Sequence, residues 1–231
     1  MTAGAASFEY AGSELELFEK ARNWKAYWSG RIIPYVTGDV LEVGAGIGAN
    51  SMLLGRACRS WTCLEPDPAL AREIRGAGRV IVGQTSDLNP SERFDAILYI
   101  DVLEHIKDDT GEITRAVSHL RPRGHLIVVA PAHSWLYAPF DAAVGHFRRY
   151  SRASLRAAAT RFGLREVDVA YLDSVGLLAS SANRLLLRQS LPTARQIAIW
   201  DRLMVPLSRV LDPVLAHRIG KSIVGIWTSL G

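Results

Sequence analysis

The chain has 231 residues, 48% of them apolar and 22% charged, which suits one ordinary globular domain with a full core. Two cysteines, Cys58 and Cys63, are too few for a disulfide framework, and without a second Cys/His pair at ligand spacing they point to no metal site. The net charge of +4 divides into −4 over residues 1–141 (14 Lys/Arg against 18 Asp/Glu) and +8 over residues 142–231 (13 against 5), an excess too modest for a nucleic-acid reader.

No basic segment leads into an apolar one at the N-terminus, and no apolar stretch approaches the ~18 residues of a membrane span, so a cytoplasmic protein is expected. Residues 13–36 read as a helix with an aromatic-rich face of Leu15, Phe18, Trp24, Tyr27 and Trp28. Strands then fall at 40–43, 61–64, 79–82, 94–100, 125–130 and 166–172. Helices near 49–57, 67–76, 107–120 and 151–162 separate them. This alternation predicts an α/β fold with a doubly wound, mostly parallel sheet covered on both faces. The tail reads as helices around 174–188 and 193–217, where Pro192 and Pro206 argue against one unbroken helix. An alternating strand at 222–227 follows and suits antiparallel pairing with its neighbour at the sheet edge.

The first strand runs into Gly44, Gly46 and Gly48, whose missing Cβ atoms allow a tight turn and close approach to a ligand. Glu42, Glu65, Asp87 and Asp101 fall at the ends of the first four strands, hence on one edge around that loop. Two like charges ~4 Å apart cost on the order of 4 kcal/mol at an effective dielectric near 20, so such a ring disfavours a pyrophosphate. It favours a cationic nucleoside with ribose hydroxyls. A nicotinamide-dependent oxidoreductase shares Gly44, Gly46, Ala49 and Glu65 and stays open as an alternative, as does a non-catalytic partner protein.

Leu41–Gly48, Cys63-Leu-Glu-Pro-Asp67, Phe94–Ile106 and Arg121–Pro131 resemble the successive motifs of class I methyltransferases dependent on S-adenosylmethionine (SAM), in order and at matching spacing. The resemblance implies a seven-stranded Rossmann-like fold in one domain over 1–231, with the last strand antiparallel between its neighbours. It comprises a helical cover (1–36), a SAM-binding core (37–132), an active-site loop (133–150) and a helical lid (174–217). It places Gly44, Ala45 and Gly46 by the methionine part of SAM, and Glu42 under the loop or the ammonium. Glu65 with Pro66 is implied at the ribose, Asp87 with Leu88 at the adenine, and Asp101 with Val102 near the methyl donor. Gly145-His-x-Arg-Arg-Tyr150 is similar to a segment in a subset of small bacterial methyltransferases.

Residues 131–150 read as an irregular loop of five aromatics and two histidines leaving the ligand edge. A methyl acceptor that must shed a proton needs a base of near-neutral pKa, which nominates His146, then His133, then His105. His146 could instead anchor the loop through Asp141, and His105 could close the turn beside the cofactor. Trp135, Tyr137, Phe140, Arg148, Arg149 and Tyr150 are the candidate acceptor contacts. Arg188, Arg195, Arg202 and Arg209 recur every seven residues in an amphipathic segment, suiting either a solvated lid face or contact with an anionic lipid surface. The expected acceptor is a small molecule, a secondary metabolite or lipid-like compound, with O-, N- and C-methylation all open.

Overall fold

The computed structural model describes residues 20–159, 163–182 and 192–230. Leu15, Phe18 and Arg188 lie outside the described residues, as do parts of the helices expected over 13–36, 151–162 and 174–188. Seven strands are present: β1 (Asp39–Val43), β2 (Ser60–Glu65), β3 (Arg79–Val82), β4 (Phe94–Ile100), β5 (Leu120–Pro131), β6 (Leu164–Leu172) and β7 (Ser222–Ser229). They form one sheet in the order β3-β2-β1-β4-β5-β7-β6. The first five pair in parallel, and β7 runs antiparallel to both β5 and β6. β7 therefore sits inside the sheet and not at its edge. Its residues are buried from Ser222 to Thr228, which only a strand with two neighbours and two covered faces achieves.

The strands alternate in side-chain direction, and each face builds its own core. Ile97 and Tyr99 of β4 join Leu126 and Val128 of β5, with Ile113 and Leu155 from helices α4 (Asp109–Ser118) and α6 (Arg152–Ala159). Ala96, Leu98, Ile127 and Val129 face the other way, against Trp24, Trp28 and Ile32 of α1 (Arg22–Ile32). The short helices α2 (Ala49–Leu54) and α3 (Pro68–Glu73) follow β1 and β2. Asp67 starts α3 by accepting from the amides of Ala69 (2.7 Å) and Leu70 (3.4 Å), with Pro68 in its first turn.

Residues 131–150 are more regular than expected. A 3-10 turn (Ser134–Leu136) and helix α5 (Pro139–Ala143) occupy them, because Asp141 reaches back to accept from the Ala138 amide at 2.9 Å. The segment expected as a lid comprises α7 (Ser174–Ala182), α8 (Ala194–Ile199) and α9 (Val205–Val214). Pro206 does not break the last two apart. A π-helical turn over Trp200–Met204 joins them, and this wider turn absorbs the carbonyl that Pro206 cannot bond.

The lid is tied down by buried acids. Asp201 accepts from the Trp24 amide (2.9 Å) and so caps α1, whose own N-cap residue Ala21 supplies no side-chain acceptor. Asp212 accepts from Tyr27 Oη (2.7 Å) and from the amides of Asp173 and Ser174. Asp173 accepts from Trp200 Nε1 (2.6 Å) and Ser208 Oγ (2.7 Å). No helix among the described residues is long and apolar enough to cross a membrane.

Candidate active site

Strand order reverses at β1, which lies between β2 and β4, and the carboxyl ends of these strands open into a cavity of about 1170 Å³. Typical small-ligand sites measure roughly 300–1,000 Å³. This cavity is larger than that range.

Its floor is the loop after β1. Gly44, Gly46 and Gly48 all have positive φ, and a Cβ on Gly44 would stand 2.7 Å from a methyl of Val102. Glu65 Oε2 accepts from the Gly46 amide (2.7 Å) and Oε1 from the Asp67 amide (2.9 Å). Burial raises the Glu65 pKa and these two amides pull it down. One lone pair on each oxygen remains for a ligand diol.

Gly44, Ala45, Gly46, Glu65, Pro66, Asp101 and Val102 all line the cavity, whereas Glu42, Asp87 and Leu88 do not. Glu42 lies beneath the loop, accepting from Asn50 Nδ2 (2.8 Å) and Trp61 Nε1 (3.0 Å), and burial lifts its pKa to about 7. Asp87 turns into its own 3-10 turn and accepts from the Gln84 amide (2.8 Å), and Leu88 packs into the core. Gly83, Gln84 and Thr85 line the cavity in their place. The expected ring of four acids is thus two at the cavity, Glu65 and Asp101. Lys25, Lys107, Arg115, Arg149 and Lys221 also reach its wall, so charge alone discriminates ligands less than the sequence implied.

Asp101 follows β4 at φ 53, a left-handed conformation that Asp tolerates better than most residues. It is open to the cavity yet surrounded by protein. Lost hydration lifts its pKa to about 6 against the pull of His146 and Lys221.

The opposite wall comes from the turn after Asp101 and the segment around α5. His146 Nδ1 lies 2.8 Å from Asp141 Oδ1, which also accepts from Arg149 Nε at 2.8 Å. The positive partners and hydrogen bonds hold Asp141 below the usual carboxylate range in spite of its burial. The His105 and His146 rings meet edge to face at 4.5 Å, and burial with the neighbouring His146 lowers the His105 pKa to about 4.

His133 is not in the wall. Its Nε2 pairs with the Gly220 carbonyl (2.9 Å) and its ring stacks on Tyr171, because positive φ at His133 turns the side chain toward β6. Among the expected acceptor contacts, Phe140 and Arg149 line the cavity. Trp135 is 51% exposed, and Tyr137 Oη donates to the His146 carbonyl (2.7 Å). Arg148 pairs with Asp109 (2.6 Å) and the Lys107 carbonyl, and Tyr150 donates to Asp109 at 2.8 Å from inside the core.

Sequence reading missed three wall residues. Glu104 is fully buried and lines the cavity, although its adjacency to Asp101 and His105 was a signal. Lys221 Nζ stands 3.6 Å from the Trp200 ring centroid and 3.6 Å from Asp173 Oδ2. Burial lowers its pKa. Trp200 itself arrives from the lid, with no local signal at all.

Sheet order and cavity define the fold of a SAM-dependent methyltransferase. Residues 14–169 match the family model described as a methyltransferase domain, and the chain belongs to that family. A demethylmenaquinone methyltransferase from Tropheryma whipplei is 29% identical over 109 residues, covering 44% of this chain and 46% of the relative. The chain thus spans about half the length of the curated relatives it matches. A SAM-dependent methyltransferase from Archaeoglobus fulgidus superposes with a TM-score of 0.64 at 13% identity, covering 94% of this chain and all of that one. The N-methyltransferase NodS from Bradyrhizobium japonicum, solved with S-adenosyl-L-homocysteine (SAH), gives 0.58 at 16% identity, covering 93% and 88%.

Proposed function

We propose that this chain moves a methyl group from SAM to a small, apolar, lipid-like acceptor taken from an anionic membrane surface. The observation that carries the reading is one cavity joining the glycine loop and Glu65 to a wall of Glu104, His105 and His146. In this reading Glu65 holds the ribose diol, Gly83–Thr85 border the adenine, and Asp101 faces the methionine ammonium. Methyl transfer is an in-line displacement in which the acceptor attacks the methyl carbon and the sulfur leaves as a neutral thioether. For a hydroxyl or acidic-carbon acceptor, a proton leaves too. Asp141 fixes the His146 tautomer by accepting from Nδ1, which leaves the Nε2 lone pair to take that proton.

The lid supports the acceptor class. Ile197, Trp200 and Met204 face the cavity. The outer side of the same helical run exposes Leu203 (66%), Leu207, Val210 (68%) and Val214 (81%) at three- and four-residue spacings. Arg195, Arg202 and Arg209 are exposed on that run, so charge matches an anionic bilayer. The name of the Tropheryma relative accords with an apolar acceptor.

Two measurements test the proposal. Calorimetry with SAH and with NADH tests the donor: tight SAH binding is expected, and tight NADH binding without SAH heat overturns the reading. Label from methyl-labelled SAM is expected in the organic extract of cell lysate, on vesicles containing phosphatidylglycerol and not on pure phosphatidylcholine. Label confined to the aqueous phase overturns the acceptor class.

A further inference from the structure

We infer that Glu104, His105 and His146 form a binding site for one divalent transition-metal ion, at the wall where the acceptor meets the donor. The inference rests on the reading above for donor and acceptor, though not for the binding, and it gives His146 the role of a ligand in place of that of the base. One ligand atom from each of the three side chains lies within 4.8 Å of the others, the one such group among the described residues. The cysteine spacing that argued against a metal said nothing of it, since residues 104–105 and 146 meet only in the fold.

Three observations point to a ligand. First, Glu104 is wholly buried, and neither carboxylate oxygen has a hydrogen-bond partner. Its nearest counter-group is His146 Nε2 at 3.8 Å. A buried carboxyl with both oxygens unsatisfied is costly, and native structures keep few of them without an unseen partner. Second, His146 Nδ1 is engaged by Asp141, which directs Nε2 toward Glu104. This carboxylate–histidine arrangement is the usual support behind a metal-ligating imidazole. Asp141 is held in turn by Arg149 and the Ala138 amide. Third, the two arms are locked together: the Phe147 amide donates to the Glu104 carbonyl at 2.8 Å.

Two imidazoles and one carboxylate suit zinc or another first-row ion, with the remaining position open to the cavity. Tetrahedral ligand atoms around zinc stand roughly 3.4 Å apart, so modest side-chain rotation closes the cluster on an ion. There the ion binds the acceptor hydroxyl oxygen and lowers its pKa. The proton passes to water, the oxygen bonds to the methyl carbon, and the carbon–sulfur bond breaks with its electron pair staying on SAH. His146 is then a ligand and not the base. A chelator separates the two roles, stopping transfer in the first case and sparing it in the second.

The test uses the full chain, stripped with EDTA and titrated with Zn²⁺ by calorimetry, with Co²⁺ substitution read by visible absorption. Expected are one equivalent of zinc at micromolar affinity or tighter and cobalt bands of a four- or five-coordinate histidine site. Glu104→Gln, His105→Ala and His146→Ala should each weaken zinc at least tenfold. Asp141→Asn should do so about tenfold, through His146. No saturable uptake, or uptake unchanged in all three ligand variants, overturns the site. SAH affinity measured on the same samples keeps the readings apart: lost SAH binding with intact zinc uptake overturns the donor assignment and leaves the cation site standing.

Discussion

The two sides of the cavity, the glycine-loop side proposed for the donor and the lid side proposed for the acceptor, are built in different ways. On the donor side each contact is local or crosses to an adjacent strand: Gly46 to Glu65 spans 19 residues and Asn50 to Glu42 spans 8. The acceptor side is assembled across the chain, with Trp24 to Asp201 spanning 177 residues and Tyr27 to Asp212 spanning 185. A site made from strand-end turns depends on backbone conformation at a few neighbouring turns. One made from a distant lid depends on how helices happen to pack, and so can change acceptor without disturbing the donor.

Variants on each side sharpen that division. The largest effect belongs to His146→Ala, which should cut turnover by about 10²–10⁴-fold, the usual contribution of a positioned acid–base group, with SAH affinity held within a few-fold. Equal losses in both would show that the two sides are one unit. Next, Glu65→Gln should weaken SAH by about 100-fold, because charge-assisted hydrogen bonds contribute roughly 1.5–3 kcal/mol each. Calorimetry reads this directly, and a near-unchanged affinity would remove Glu65 from the ribose.

Glu42 offers a pH signature. Its folded pKa of about 7 lies above the ordinary 4.5, so the folded state holds the extra proton between these values. The stability this brings is full below about 4.5 and is lost as pH rises through 7. Denaturant melts of Glu42→Gln should therefore lack a pH slope worth at most about 3 kcal/mol in the parent chain. A parallel slope in both would show Glu42 ionised throughout. The smallest effect is at the lid: Asp201→Ala uncaps α1 and should cost about 1–2 kcal/mol, with acceptor turnover falling more than SAH affinity.

The residues differ in legibility for the same reason. That Gly44, Gly46, Glu65, Asp101 and Val102 line the cavity was readable because strand, turn and acid follow one another within the sequence. Asp87 was expected at the cavity and does not line it, since whether an acid after a strand faces the cavity or folds back on the Gln84 amide depends on one turn. His133 misled likewise, its positive φ sending it to Tyr171. The joining of α8 and α9 through a π turn at Pro206 was also out of reach, because proline predicts a lost hydrogen bond but not how the chain accommodates it.

By itself the sequence determined the seven strands, the family motifs and the glycine loop, because hydrophobic alternation and backbone sterics are local. Only the tertiary structure decided that Glu104 meets His146 and that Trp200 and Lys221 close the lid-side wall of the cavity. Those pairings are fixed by the burial of side chains far apart in the chain, and no local pattern encodes which distant acid will find which distant donor.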